Sequence, residues 1–294
     1  MKHLLMPIAA ITDEFSSDLA TALEPMAAMG MTGAELRVVF GKNIMDLTDD
    51  ELKLAKELCD QKGMKIIGIA SPILKCVLPG APPVDPRFQQ DTFNAKHTFD
   101  DQARLADHAF DIAHRLDAGI IRVFSYWRSI QPDACFDAIV KALHGLAEQA
   151  KSHGVIIGLE NEHACNIGTA AESKKLLDAL DHPNLKLVWD PANALVGGEK
   201  AFPDGYDLLP VKRIIHVHAK DCHMEGHTPI WGPVGTRDVN WHGQIAALLR
   251  DGYPGYLSLE THWPGPPKAD GSGTDKFLAS TICGWNLRGL VSAS

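Results

Sequence analysis

Positive charge is scarce in this chain: 28 Lys and Arg stand against 37 Asp and Glu, for a formal net charge of -9 and a pI near 5.8. A nucleic-acid footprint needs basic side chains clustered on one face to displace counterions from phosphates, so that partner is not expected. No apolar stretch approaches the roughly 20 residues that a membrane span requires, and no membrane partner is expected either. The six cysteines, Cys59, Cys76, Cys135, Cys165, Cys222 and Cys283, are scattered without a Cys-x-x-Cys pair. Neither a disulfide framework nor a cysteine zinc site is suggested, and they read as reduced thiols of a cytoplasmic protein. Linkers, low-complexity tracts and sequence repeats are also missing. The start, Met1-Lys-His-Leu-Leu-Met-Pro-Ile-Ala-Ala-Ile, superficially resembles a leader, yet its brief apolar run passes straight into Asp13-Glu14 and reads better as a first strand.

What is present suits a folded chain: 45% hydrophobic and 22% charged residues over 294 positions. One domain spanning 1–294 is expected, because a closed α/β barrel of roughly 250 residues fits this size. Apolar or β-branched runs alternate eight times with stretches of helical period, which predicts an α/β fold and specifically a (β/α)8 TIM barrel. Strands are expected near 4–12, 31–39, 64–70, 119–124, 155–160, 185–190, 213–220 and 255–261. Helices are expected near 16–29, 48–62, 96–117, 132–153, 169–181, 203–210, 241–251 and 273–291. Thr48-Asp-Asp-Glu51 reads as a capping box, and Gly30, Gly63, Gly119 and Gly154 fall where a helix hands over to a strand. Ser71 to Asn94, rich in Pro and Gly, is the long irregular connection and a candidate lid or rim.

Four metal-type side chains end successive apolar runs: Glu160, Asp190, His218 and Glu260, separated by 30, 28 and 42 residues. Those are the lengths of strand-plus-helix units, so the four would converge at the catalytic end of a parallel barrel. Side chains alternate along a strand, which turns His216, His218 and Lys220 inward and Ile215, Val217, Ala219 and Asp221 toward the helices. The same parity points Tyr256, Ser258, Glu260 and His262 inward, with Glu35 and Arg37 on the second strand and Arg122 on the fourth. For Glu35 an internal ion pair with Arg37 or Arg122 weighs as much as a functional role.

Three carboxylates and an imidazole, without thiolate, suit one divalent metal ion: Mn, Mg or Co first, with Zn or Fe also compatible. Such a cation polarises a carbonyl and eases proton loss from the neighbouring carbon. Glu160 and Glu260, on different sides, would take and return that proton. Lys220 is a second acid in this scheme, or else an ion-pair partner of Glu260 or Asp190. Singly, a strand-end Asp or Glu is more often a helix cap.

Gly158-Leu-Glu-Asn-Glu-His163, Val188-Trp-Asp-Pro-Ala-Asn193, His216-Val-His-Ala-Lys-Asp221 and Leu257-Ser-Leu-Glu-Thr-His262 resemble the xylose-isomerase-like TIM-barrel family, in particular its sugar phosphate isomerase/epimerase branch. The resemblance spans nearly the whole chain, including Glu35-Leu-Arg37 and Pro233-Val-Gly-Thr-Arg-Asp-Val-Asn-Trp241. It implies that Glu160, Asp190, His218 and Glu260 hold the metal and that the two Glu exchange the substrate proton. Where ketose 3-epimerases of the family carry a His, this chain has Asn193, which can orient a hydroxyl but cannot titrate. Arg237 stands where the family usually has a second Gly, placing a cation near the rim. The family's apurinic endonucleases use extra His ligands, and here those places hold Ser71, Ser125, Asn193 and Trp231-Gly-Pro233, so that activity is not expected.

Among the remaining candidates, Arg37, Asn193, His163, Trp231 and Arg237 are expected to bind substrate. Trp127, Trp231 and Trp263 follow the fourth, seventh and eighth strands, where aromatic faces can cover a sugar; loop tryptophans also serve subunit contacts, so a homo-oligomer stays open. Arg128 and Arg237 could grip an anion. His223 and His227 read as solvated loop residues. The expected partner is a small carbohydrate. The expected activity is divalent-metal-dependent isomerisation or epimerisation of a small keto-sugar or polyol derivative through an enediolate. The alternatives are a lyase or dehydratase acting on a keto-inositol or 3-keto-sugar, and a barrel that binds a sugar without turning it over.

Overall fold

A computed structural model describes residues 6–88 and 97–293. Residues 4 and 5 of the first expected strand, 96 of the third helix and 89–94 of the irregular connection lie outside the described residues. The strands are β1 Ile8–Ile11, β2 Gly33–Leu36, β3 Val38–Val39, β4 Lys42–Asn43, β5 Lys65–Ala70, β6 Ile120–Val123, β7 Ile156–Glu160, β8 Leu185–Trp189, β9 Ile214–Ala219, β10 Asp221–Glu225, β11 Thr228–Gly232 and β12 Leu257–Leu259. The α-helices are α1 Leu19–Ala28, α2 Asp49–Gln61, α3 Gln102–Leu116, α4 Phe136–His153, α5 Ala170–Ala179, α6 Pro191–Val196, α7 Trp241–Arg250 and α8 Lys276–Ala293. Eight strands close into a parallel barrel in the order β1-β12-β9-β8-β7-β6-β5-β2, so the expected TIM barrel is the fold. Among the described residues no helix is long and apolar enough to cross a membrane.

Parity holds where it can be checked. Val217, Ala219, Leu257 and Leu259 join the apolar layer, while His216, His218, Lys220, Ser258 and Glu260 are buried polar groups of the barrel. Gly33 makes room for Tyr256: a Cβ there would lie 2.8 Å from the tyrosine ring. Thr48 and Glu51 form the capping box of α2, and Gly154 ends α4 in the left-handed region at φ 68°. At the end of α3 the left-handed residue is Asp117, φ 54°, rather than Gly119.

Three segments differ from expectation. The helix expected at 203–210 is replaced by α6, which starts earlier because Pro191 fits the first helical position and Asp190 caps it. Gly197 follows, and residues 201–208 form only π and 3-10 turns around Pro203. Beyond β9 the chain runs into the β10–β11 hairpin, which carries His223 on a strand and His227 at its turn, rather than into a loop. The described part of the irregular connection is an anchored rim, not a free flap: Ile73, Leu74 and Cys76 are buried, and their carbonyls accept from Phe124, Tyr126 and Trp127.

Candidate metal centre and active site

Glu160 ends β7, Asp190 follows β8, His218 lies within β9 and Glu260 follows β12. The register staggers them, since Glu160 pairs with Val188, two residues before Asp190, and His218 with Ser258, two before Glu260. Strand tilt in a closed barrel converts that stagger into one height. All four side chains are buried, and one ligand atom from each lies within 4.8 Å of the others.

Asp190 combines two roles. Its Oδ1 accepts from the Asn193 backbone N–H at 2.8 Å and caps α6, leaving Oδ2 for the cluster. Asn161 fixes the Asp190 backbone on both sides, donating to its carbonyl and accepting from its N–H, each at 2.8 Å. His218 faces the cluster with Nδ1, 3.1 Å from Glu160 and 3.5 Å from Glu260, while Nε2 lies 3.1 Å from Glu35. A carboxylate on the far nitrogen is the usual support of a metal-ligating histidine. Glu35 also meets His216 at 3.0 Å and Ser258 at 3.1 Å. Its partners are thus the two histidines and Ser258, and not Arg37 or Arg122, the ion pairs considered from sequence.

Cations surround the carboxylates. Lys220 Nζ sits 3.0 Å from Asp190 Oδ2 and 2.9 Å from Glu260 Oε2; Arg37 Nη1 is 3.0 Å from Glu260 Oε1; Arg122 Nη1 is 3.3 Å from Glu160 Oε2. Burial works to raise the Glu260 carboxyl, but Lys220 and then His218 outweigh it and hold it well below the usual range. Asp190 goes the other way, to about 7, because burial and the neighbouring Glu160 and Glu260 outweigh Lys220. Burial works to lower the His218 imidazole, yet Glu35, Glu160 and Glu260 keep it well above its ordinary value.

The residues fit a divalent cation. Glu160 Oε2 and Asp190 Oδ2 are buried and accept no hydrogen bond of good geometry, although Arg122 and Lys220 stand near them. Buried carboxylate oxygens left without donors are costly unless a charge meets them. Oxygen and imidazole donors without thiolate match Mn, Mg, Co, Zn or Fe.

Of the expected substrate residues, Asn193 donates to Glu160 at 3.3 Å and to Glu162 at 3.4 Å, and its Oδ1 meets His163 at 2.8 Å. His163 and Trp231 line a cavity at the barrel mouth, and Arg37 lines a second. Arg237 is exposed, packs against Gly232 and lines neither cavity. Trp127 is buried in a small apolar cluster with Phe124, Ala164 and Cys165 instead of facing a ligand. Arg128 pairs with Glu172 at 2.7 Å, a structural contact. Asp221, turned outward as parity requires, accepts four backbone N–H groups of Gly235, Thr236, Arg237 and Val239.

Asp13, Glu14 and Lys75 also line the cavities and were not singled out from sequence as site residues. Asp13-Glu14 lie in the 3-10 turn Thr12–Glu14 just beyond β1, one residue past the strand-end position that marked Glu260. That signal was present. Lys75 lies in irregular chain and had none.

A closed parallel barrel with a carboxylate–imidazole cluster at its mouth defines a TIM-barrel protein with a metal-type site. The chain belongs to the xylose isomerase-like TIM barrel family, whose profile matches residues 23–279. An inosose dehydratase of Bacillus thuringiensis (strain Al Hakam) is 27% identical over 129 residues, 39% of this chain and 43% of that protein, so less than half of the relative is matched. The IolI protein, solved with a bound zinc atom, superposes with a TM-score of 0.72 at 16% identity, covering 98% of this chain and 99% of that one. A 3-keto-D-glucoside 4-epimerase of E. coli, YcjR, gives a TM-score of 0.65 at 18% identity over 97% and 99%. At these identities the solved structures establish likeness of fold. Its neighbours thus include a dehydratase by sequence and an epimerase by fold.

Proposed function

We propose that this protein is a divalent-metal-dependent isomerase or epimerase of a small keto-sugar or polyol derivative. One observation carries the reading: four ligand atoms from Glu160, Asp190, His218 and Glu260 lie within 4.8 Å, and two of the carboxylate oxygens accept no hydrogen bond. A divalent cation there would supply charge stabilisation for a developing oxyanion and so acidify the adjacent C–H.

The chain's own groups divide the remaining work. Glu160 Oε2 accepts no hydrogen bond, with Arg122 as an ion-pair neighbour at 3.3 Å, and is the base for a substrate C–H. Glu260 shares one oxygen with Arg37 and the other with Lys220. Proton return on that side therefore runs between the Lys220 ammonium and Glu260. Asn193 and His163, bonded to each other beside Glu160, are placed to orient substrate hydroxyls. Burial of Glu160, Asp190, His218, Lys220 and Glu260 places these charges in a low-dielectric setting, where their interactions are stronger than in water. Exchange of a substrate C–H for solvent deuterium, lost on chelation and restored by Mn or Zn, is the test. Metal-replete protein that exchanges no ketose or inosose proton would sink the proposal.

A second reading, dehydration of an inosose-type substrate, is supported by the partial match to an inosose dehydratase and by Lys220, an ammonium able to protonate a departing hydroxyl. Product mass separates the two: loss of water marks the dehydratase.

A further inference from the structure

Two cavities open at the barrel mouth and share a wall. The first, about 360 Å³, is bounded by Lys75, Glu162, His163 and Pro229 among others; the second, about 380 Å³, by Asp13, Glu14, Arg37, Trp263 and Lys276 among others. Trp231 and His262 line both, with ring centroids 4.6 Å apart and planes at 53°, so they form the partition. That partition stands over the charged floor, because Lys220 Nζ lies 5.8 Å from the Trp231 ring centroid and bridges Asp190 and Glu260. The first cavity therefore meets the cluster on its Glu160 flank, through His163 and Asn193. The second meets it on the Glu260 flank, through Arg37.

Small-molecule pockets run from roughly 300 to 1,000 Å³. Each cavity alone sits at the low end, enough for one small ring, and a single-ring substrate would leave its neighbour unused. The lining of the second cavity also has a chemical preference. Asp13 and Glu14 both pair with Arg37, at 2.9 and 2.6 Å, and with Lys276 on the same wall the charges of the lining are balanced, which favours an uncharged group; Glu14 Oε2 is left to accept from a hydroxyl. Burial raises the Glu14 carboxyl to about 7, against the pull of Arg37, so near neutrality it can also donate. Trp263 adds aromatic surface for a ring's C–H side.

The geometry points to a substrate of two units, a keto-sugar or keto-polyol in the first cavity joined to an uncharged, hydroxyl-rich second ring in the other, with the linkage crossing the Trp231–His262 partition. This inference rests on the proposed function for the first unit and adds the second.

Binding to the metal-loaded protein, read by calorimetry, tests it with matched pairs: D-fructose against isomaltulose, and 3-keto-D-glucose against its glucoside. In at least one pair the two-unit ligand is expected to bind at least roughly tenfold tighter, about 1.4 kcal/mol. Trp263→Ala and Lys276→Ala, on the second cavity only, should each shrink that ratio; Lys276 is exposed, so its variant keeps the test open if Trp263→Ala does not fold. Equal affinities within every pair, a ratio untouched by both variants, or no binding by any of the four ligands would overturn the inference. Deuterium exchange in the same mixtures reads the proposed reaction separately. Tight two-unit binding without exchange defeats the reaction and keeps the two-unit seat, and exchange without preference for the longer ligand does the reverse.

Discussion

Glu35 holds His218 by its far nitrogen: a carboxylate oxygen lies 3.1 Å from Nε2, which turns Nδ1 toward Glu160 and Glu260. The pair is wholly buried, so this orientation has no competition from water. Glu35→Gln keeps the shape and can still hydrogen-bond, but removes the charge that supports the imidazole. Metal affinity is expected to fall roughly 10- to 100-fold, measured by competition with a chelator. Unchanged affinity would show that Glu35 serves the barrel and not the ligand.

Metal uptake should expel protons. The carboxylates keep the His218 imidazole charged above its ordinary range, and Asp190 at about 7 is partly protonated at neutrality. Both must be deprotonated to ligate. Affinity therefore rises as pH rises through neutrality and falls as it drops. Calorimetry in buffers of different ionisation heat should register net proton release; uptake, or none, would contradict the protonation assigned here.

Lys220 neutralises Asp190 and Glu260 together, at 3.0 and 2.9 Å. Lys220→Met leaves both buried carboxylates short of a cation, and losing one partner of a buried pair costs about 3–5 kcal/mol. The metal-free variant should melt well below wild type, and the loss should narrow when a divalent ion is added, because the ion supplies the missing charge. Turnover should vanish even in the loaded variant. A melting temperature insensitive to metal would break the link between this ammonium and the ligand set.

Asp221 latches the segment that leads into α7 by accepting four backbone N–H groups. Asp221→Leu strands those donors: the Val239 N–H is buried, where an unsatisfied group costs about 1–3 kcal/mol, whereas those of the exposed Gly235, Thr236 and Arg237 can turn to water. Amide exchange of Gly235, Thr236, Arg237 and Val239 should accelerate while the strands stay protected. Uniform loss of protection would instead mean that Asp221 supports the whole barrel.

Much of the site was legible because a closed barrel imposes rules that a chain must obey locally. Glu160, Asp190 and Glu260 stood out as polar residues ending apolar runs, and alternation alone sent His218 and Lys220 inward. Asp13-Glu14 stood just past such a position, yet Arg37 had to be brought beside them, at 2.9 and 2.6 Å, before they became a cavity wall. Trp127 shows the converse. Its strand-end position suggested a sugar platform, but packing against Phe124 and Cys165 buried it.

The order of runs and the two-residue alternation determined the (β/α)8 barrel and the convergence of Glu160, Asp190, His218 and Glu260 at one end of it, because those depend on covalent spacing and on which face a side chain takes. Which oxygens stay free, which cation meets which carboxylate, where Arg237 points and how Trp231 and His262 divide the mouth were decided only in three dimensions. Those are contacts between groups from different strands and loops, set by barrel closure and by competition for the same few buried charges, and no stretch of chain encodes them alone.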